Sequence, residues 1–135
     1  HTFSYSFCPH SGDFRKGETV AKAYMFNNPC SAAVKQKKME GSFISQKSLV
    51  SVDVPNVVIE TVKKAEDSEA LIVRCYECFN RRSQVTMKLN AEILHACVVN
   101  PLEDQVLEEL KVSEGTVSFT MKPYEIRTLR FDVTK

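Results

Sequence analysis

Hydrophobic and polar residues alternate with a period of two along much of the chain, which is typical of strands that have one buried and one exposed face. The alternating hydrophobic sets are Phe3, Tyr5 and Phe7; Val50, Val52 and Val54; Val85, Met87 and Leu89; and Val117, Phe119 and Met121. Each set predicts one strand. Residues 57–59, 71–73 and 93–94 are hydrophobic on both faces, so we expect central strands there.

Two local irregularities interrupt the alternating pattern near the end of the chain. Residues 113–115 predict a three-residue hairpin loop, in which Gly115 supplies the left-handed backbone conformation. In the last strand, Ile126 is out of phase with Leu129 and Phe131. Because an extra residue restores the phase of a strand, we expect a β-bulge near Thr128.

The architecture follows from the number of strands. Residues 18–26 are the one helical candidate, since Val20, Ala23 and Tyr24 share a helix face, and irregular structure remains an equal alternative there. Eight to ten short strands with at most one short helix predict an all-β fold, an antiparallel β-sandwich. We expect residues 1–135 to form a single domain.

Charge and cysteine content restrict the classes of function. The net charge is +1 with both signs interspersed, which argues against nucleic-acid and membrane-surface binding, and no hydrophobic run approaches the ~20 residues of a membrane span. The five cysteines are irregularly spaced and no Asn-x-Ser/Thr sequon occurs, so we expect a reducing, cytoplasmic setting. The chain begins with His1 rather than Met, which we interpret as a fragment of a longer polypeptide.

Cys75 and Cys78 form a C-x-x-C pattern, the spacing of many redox and zinc sites. Here the pattern continues a predicted strand, and residues three apart on a strand point to opposite faces. No second pair completes a zinc site, so we expect reduced thiols without a catalytic or metal-binding role. Among the three histidines, His95 lies in a hydrophobic run, which favours a half-buried strand residue over a ligand.

Other charged residues do not assemble a catalytic site in the sequence. Glycosidase chemistry requires two carboxylates that converge on one bond, whereas neighbours on a turn or strand diverge. We therefore expect solvated surface charge at Glu66–Asp67, Glu103–Asp104 and Glu108–Glu109, and also at Lys35, Lys37, Lys38, Arg81 and Arg82. The sequence assigns no catalytic, cofactor-binding or metal-binding residue to this chain.

The loop at residues 8–15 concentrates His10, Asp13 and Arg15 between Pro9 and Gly12. Two interpretations remain open. Asp13 can brace the turn by accepting hydrogen bonds from neighbouring amides. Alternatively, the imidazole, carboxylate and guanidinium can form a polar contact with another domain.

Several segments resemble the C-terminal β-sandwich domain of glycoside hydrolase family 38, the α-mannosidases of cytosolic and bacterial type. The quoted matches are Pro-His-Ser-Gly-Asp at 9–13, Ala-Tyr at 23–24, Asn-Asn-Pro at 27–29, Val-Asp-Val-Pro-Asn-Val-Val-Ile-Glu-Thr-Val-Lys-Lys-Ala-Glu-Asp at 52–67, Leu-Ile-Val-Arg at 71–74, Tyr-Glu at 76–77 and Pro-Tyr-Glu-Ile-Arg-Thr-Leu at 123–129. Two positions depart from the resemblance, since related sequences have Trp at Phe14 and an Ala-His-Gly-like turn at residues 78–80.

The resemblance implies a retaining exo-α-mannosidase whose aspartate nucleophile and divalent metal, typically zinc, lie in the upstream catalytic domain. None of those positions maps onto this chain. We therefore expect a non-catalytic accessory domain whose partner is the catalytic domain of the same polypeptide and which meets the carbohydrate substrate through it. The alternative is a free-standing β-sandwich that binds carbohydrate or protein, although the chain has no Trp for sugar stacking.

Overall fold

The computed structural model describes residues 2–32 and 48–134, which belong to two separate units of the chain, His1–Ser45 and Gln46–Lys135. Each unit is described by itself. The lysines at positions 35, 37 and 38 lie outside the described residues. That residues 1–135 form a single domain stays a prediction.

The described part of the first unit contains one helix, α1 (Thr19–Asn27). It confirms the short helix and begins one residue later than expected. The helix ends where two asparagine side chains bind its last carbonyl groups, Asn27 Nδ2 to Ala23 O at 2.8 Å and Asn28 Nδ2 to Tyr24 O at 3.0 Å. The Tyr24 carbonyl also accepts a hydrogen bond from the backbone N–H of Asn28 at 2.9 Å, so the side-chain bonds supplement the backbone bonding at the end of the helix.

The predicted first strand is wrong. Residues 2–9 have no regular secondary structure, and Phe3, Tyr5 and Phe7 are 83%, 87% and 87% exposed. Alternation specifies two different faces, but a strand also requires a neighbouring strand for its backbone hydrogen bonds. No described residue of this unit provides that neighbour.

The second unit, over residues 48–134, consists of nine antiparallel strands. Their bounds are β1 (Val50–Val52), β2 (Val57–Lys64), β3 (Leu71–Glu77), β4 (Ser83–Leu89), β5 (Ile93–Val99), β6 (Val106–Glu109), β7 (Val112–Ser113), β8 (Thr116–Met121) and β9 (Ile126–Val133). One sheet has the order β1-β4-β8-β7 and the other β2-β3-β9-β5-β6. The all-β fold with two sheets is confirmed.

The larger of two hydrophobic core clusters in the described residues combines side chains from both sheets. Strands β4 and β8 contribute Met87 and Phe119, while β3 and β9 contribute Val73, Leu129 and Phe131, all at most 3% exposed. Complete burial of one such side chain stabilises a fold by about 1.5–3 kcal/mol. The alternating positions of the second unit therefore face inward as the sequence predicts.

The double-sided hydrophobic segments do not all form central strands. Strands β3 and β5 lie inside the five-stranded sheet as expected, but β2 is an edge strand, which corrects the prediction for residues 57–59. In β2, Val57 is buried, whereas Val58 and Ile59 are only partly buried. A short run of β-branched residues therefore indicates a strand without fixing its place in the sheet.

Both predicted irregularities differ from the structure. The hairpin loop between β7 and β8 has two residues, because Ser113 pairs with Thr116. Gly115 has the expected positive φ of 73°, and Glu114 also has a positive φ of 48°. This combination at both loop positions is that of a type I′ turn.

The β-bulge near Thr128 is absent, since β9 keeps an unbroken register with β3 from Ile126 to Phe131. The side chain in phase with Leu129 is Arg127, whose guanidinium lies 5.8 Å from the centre of the Phe119 ring. Ile126 simply faces outward and is 66% exposed. The register shift occurs instead in β5, between Ile93 and His95.

Within residues 2–32 and 48–134, no helix is both long enough and hydrophobic enough to span a membrane.

Candidate functional site

The loop with His10, Asp13 and Arg15 is exposed and is braced by its own side chains. Asp13 Oδ1 accepts hydrogen bonds from the backbone N–H groups of Arg15 and Lys16 at 3.2 and 3.1 Å. The Arg15 guanidinium lies 3.7 Å from the other carboxylate oxygen of Asp13. This is the turn-bracing arrangement that the sequence allows for Asp13. The contact with another domain stays a prediction.

His10 closes the same loop from its other end. Its Nε2 atom lies 3.3 Å from the hydroxyl of Thr19, the first residue of α1. Its ring also covers Gly17, where an added Cβ would lie only 2.4 Å from the imidazole. A side chain at position 17 would therefore displace His10. All three candidate side chains of the loop are exposed, but they do not converge on one point.

The second unit contains a polar cluster in which Asn56 and Glu77 are buried, Ser83 is half-buried and Arg81 is exposed, and we call it the Asn56–Glu77 cluster. Asn56 immediately precedes β2 and is fully buried. Its Nδ2 group donates to Glu77 Oε1 and to Ser83 Oγ, both at 2.9 Å, and its Oδ1 accepts from Arg81 at 3.0 Å. Since Glu77 ends β3 and Ser83 begins β4, these bonds join the two sheets.

Glu77 is 1% exposed, and its carboxylate is surrounded by donors. The backbone N–H groups of Phe79 and Tyr124 donate to Oε1 and Oε2 at 2.7 and 2.9 Å. Burial is the largest single influence on the pKa of Glu77 and raises it, but the hydrogen bonds from Tyr124, Asn56, Phe79 and Arg81 together outweigh burial and lower the pKa. The carboxylate is therefore ionised and engaged in structure, so it is not available for proton transfer.

Arg81 lies in the loop between β3 and β4 and is exposed, as predicted. Its guanidinium also binds the buried Asn56 side chain and lies 5.9 Å from the centre of the Phe79 ring.

The two thiols of the C-x-x-C pattern have different environments, and both are free. Cys75 is buried in the core, where its sulfur lies 4.0 Å from the Met121 sulfur. Cys78 lies just beyond β3 and donates to the Asn56 carbonyl at 3.4 Å. Burial raises the pKa of Cys75 to about 12 and also raises that of Cys78. A thiol held in its protonated form is a poor nucleophile and metal ligand.

His95 lies in β5, as predicted, with 47% of its side chain exposed. Its Nε2 and Nδ1 atoms lie 2.6 and 3.3 Å from carboxylate oxygens of Glu109 and Asp132. The hydrogen bond with Glu109 is the largest influence on the pKa of His95 and raises it, with a further contribution from Asp132. The carboxylates bind opposite nitrogens, so the three groups do not converge on one ligand position.

The acidic pairs are on the surface but are not simply solvated. Glu103 is the clearest correction, since its side chain is only 11% exposed and lies 3.1 Å from Lys63 and 3.7 Å from Arg74. Asp67 pairs with Arg130, and Glu108 with Arg127. Glu66 shares Lys63 with Glu103, and Asp104 accepts a hydrogen bond from the Asn100 amide at 2.7 Å. These carboxylates are therefore held by cations and amides of their own surface.

The Asn56–Glu77 cluster was not predicted from the sequence, although β3 carries one signal for it. Leu71, Val73, Cys75 and Glu77 alternate on the same inward face of β3. A carboxylate at an inward position requires buried hydrogen-bond partners. The partner Asn56 gives no comparable signal, because Pro and Asn are both common in turns.

None of the described residues forms a group of three or more His, Cys, Asp or Glu side chains suited to a metal ion. The described charged groups of the second unit form ion pairs and small networks, such as Lys63 with Glu66 and Glu103.

Comparison with known proteins gives the family. Residues 56–129 match the model of the glycosyl hydrolases family 38 C-terminal beta sandwich domain. This segment begins at the first residue of the Asn56–Glu77 cluster and ends in β9. It covers more than half of the chain, and the chain belongs to this family.

Curated relatives resemble the chain over nearly its whole length. The chain is 28% identical over 135 residues to alpha-mannosidase G of Dictyostelium discoideum, with 97% of the chain covered. It is 28% and 26% identical over 133 residues to the human and mouse alpha-mannosidases 2C1, with 96% covered. The chain spans only 12% of the length of each relative.

Proposed function

We propose that this chain is the non-catalytic C-terminal accessory domain of an α-mannosidase, an enzyme that hydrolyses terminal α-mannosides. The observation that carries the proposal is membership in the family 38 C-terminal β-sandwich family together with similarity to long proteins named alpha-mannosidases. The nucleophile and a divalent metal, zinc by resemblance, would belong to the preceding catalytic part. No residue of this chain is assigned to either.

The pairing of charged side chains favours an accessory domain over a free-standing binding module. The described charged side chains of the second unit largely pair with one another, as in the contacts of Glu103 and Asp67. A carbohydrate-binding site needs polar groups that converge on the ligand. A cytoplasmic location fits the five free cysteines, because disulfides form mainly in oxidising compartments.

We also propose that the loop with His10, Asp13 and Arg15 forms a polar contact with the catalytic part. Asp13 uses one carboxylate oxygen for the backbone of its own turn, which leaves Oδ2 directed to the Arg15 guanidinium. Their side chains are 52% and 45% exposed. An exposed guanidinium held beside a carboxylate can bind a further carboxylate in a bidentate manner.

Reconstitution tests the accessory role. The preceding part of the polypeptide, expressed without this chain, should lose α-mannosidase activity or inactivate faster, and the separately expressed chain should restore it. Arg15→Ala should weaken the restoration because it removes the bidentate group, while leaving the stability of the chain within about 0.5 kcal/mol. Lys22→Ala on α1 is the matched control, an exposed cation outside the loop.

If the chain with Arg15→Ala restores activity as well as the wild-type chain does, the loop does not form the proposed contact. A preceding part that is fully active and equally long-lived without the chain would contradict the accessory role itself.

A further inference from the structure

Tyr124 occupies a backbone conformation that favours glycine. It is the third residue of a β-turn over residues 122–125, in which Glu125 N–H donates to Lys122 O at 3.2 Å. Pro123 precedes it, and Tyr124 has a φ of 55°. Proline followed by a positive φ is the arrangement of a type II turn, whose third position is normally Gly or Asn. A bulky residue there is an outlier that strains the backbone.

The strained turn is held from its buried side. Tyr124 N–H donates to Glu77 Oε2 at 2.9 Å, and Glu77 N–H donates to Glu125 O at 3.0 Å. The ring of Tyr124 points the other way and is 62% exposed. The fold therefore holds the Tyr124 backbone in place, although the exposed ring contributes little to the core of the second unit.

Three further exposed hydrophobic residues lie in the loop before β6, in β6 and at the start of β9. Leu102, Leu107 and Ile126 are 80%, 58% and 66% exposed, and we call these three residues with Tyr124 the Tyr124 corner. Leu107 and Ile126 line a cavity of about 180 Å³ that also includes Pro101. The adjoining strand β6 is exposed at all four residues and forms the free edge of its sheet.

The Arg127 charge beside the Tyr124 corner is already paired. Arg127 lies 2.8 Å from Glu108 and 3.2 Å from Glu125. A saccharide would need polar groups directed towards it. Aromatic and aliphatic side chains with few free charges are instead typical of the core of a protein–protein interface, and a free strand edge can accept an additional strand.

We infer that the Tyr124 corner is a docking surface for the catalytic part of the same polypeptide. The inference rests on the proposed function and adds to it the side of the sandwich that the rest of the enzyme covers. The chain spans 12% of its relatives, so most of such a polypeptide lies outside this structure. A tyrosine at a position that favours glycine then serves this contact rather than the fold of its own unit.

Hydrogen exchange locates the contact without relying on activity. In the complete polypeptide, backbone amides of residues 102–109 and 122–127 should exchange at least tenfold more slowly than in chain 1–135 alone. Tyr124→Gly should abolish this additional protection. In chain 1–135 alone, the same substitution should leave the melting temperature unchanged or raise it, because glycine relieves the positive φ.

Two further variants make the result specific. Ile126→Thr keeps a β-branched residue in β9 and should also reduce the protection. Glu114→Gly relieves another positive φ, 48° in the β7–β8 loop, and should leave the protection unchanged.

Equal exchange of these amides in the chain and in the complete polypeptide would overturn the inference even if the polypeptide is an active α-mannosidase. It would also be overturned if Tyr124→Gly destabilises the isolated chain, because the ring would then belong to its own unit. Protection of the isolated chain that grows with concentration, or on addition of α-linked mannobiose, would assign the corner to a second copy or to a sugar. An inactive complete polypeptide that retains the protection would contradict the proposed function alone.

Discussion

Replacing Glu77 with Gln removes one charge from the Asn56–Glu77 cluster and preserves the size of the side chain. The wild-type carboxylate accepts from Asn56 and Phe79 at Oε1 and from Tyr124 at Oε2. The Gln side chain has one acceptor oxygen and one NH2 group, which only donates hydrogen bonds. If the oxygen stays near Asn56 and Phe79, the NH2 group faces the Tyr124 N–H, so two donors oppose each other.

The cost follows from these three bonds. A hydrogen bond to a charged group contributes about 1.5–3 kcal/mol, and a buried donor without an acceptor costs about 1–3 kcal/mol. The two bonds that remain also weaken, because charge-assisted bonds are about twice as strong as neutral ones. We therefore expect Glu77→Gln to lower the free energy of unfolding by about 3 kcal/mol, out of the roughly 5–15 kcal/mol typical of a domain.

Urea unfolding of chain 1–135, followed by circular dichroism, measures this effect. With an m-value of about 2 kcal/mol/M, 3 kcal/mol lowers the midpoint by about 1.5 M. Glu114→Gln is the control, because Glu114 is exposed in the β7–β8 loop, and it should change stability by less than about 0.5 kcal/mol. A Glu77→Gln variant as stable as this control would refute the structural role of the buried carboxylate.

The pH dependence supplies a second readout. The pKa of Glu77 lies below its ordinary value of 4.5 in the folded state. Its contribution is therefore fully present above the pKa of the unfolded chain and is lost as the pH falls through the lower pKa of the folded chain. The variant does not titrate at this position, so the stability difference from wild type should shrink as the pH falls below about 4.5.

Two other predictions concern single side chains. Alkylation of protein unfolded without reductant should count five thiols, and a count of three would indicate a disulfide. In the folded chain, Cys75 and Cys97 should react more slowly than the two exposed cysteines, since burial raises the pKa values of Cys75 and Cys97. The pKa of His95, followed by NMR, should lie above 6.5, and Glu109→Gln should lower it. The stability that His95 gains is then fully present below pH 6.5 and is lost as the pH rises through the folded pKa; an unchanged pKa in the variant would rule out the Glu109 contact.

The strands of the second unit were predictable because hydrophobic alternation is a local property. Val85, Met87 and Leu89 face the core as their spacing indicates. The same rule misplaced residues 3–7, because alternation does not reveal whether a pairing strand exists. The rule also fails in β9, where it predicts a β-bulge that is absent. The inward position there is held by Arg127, a residue whose long stem can be buried while its charge is paired.

The polar features depended on tertiary contacts that spacing does not encode. Asn56 and Glu77 are 21 positions apart and meet only when β2 and β3 pair. The exposure of His10, Asp13 and Arg15 agrees with a loop rich in polar residues.

Hydrolysis of an aryl α-mannoside tests the central claim most directly. The complete polypeptide should release the aryl group, whereas purified chain 1–135 should release none, with or without added zinc or cobalt, because the proposed function places the nucleophile and the metal in the preceding catalytic part. Turnover by the chain alone that persists through repurification and co-elutes with it would contradict the account, as would a folded complete polypeptide with no α-mannosidase activity.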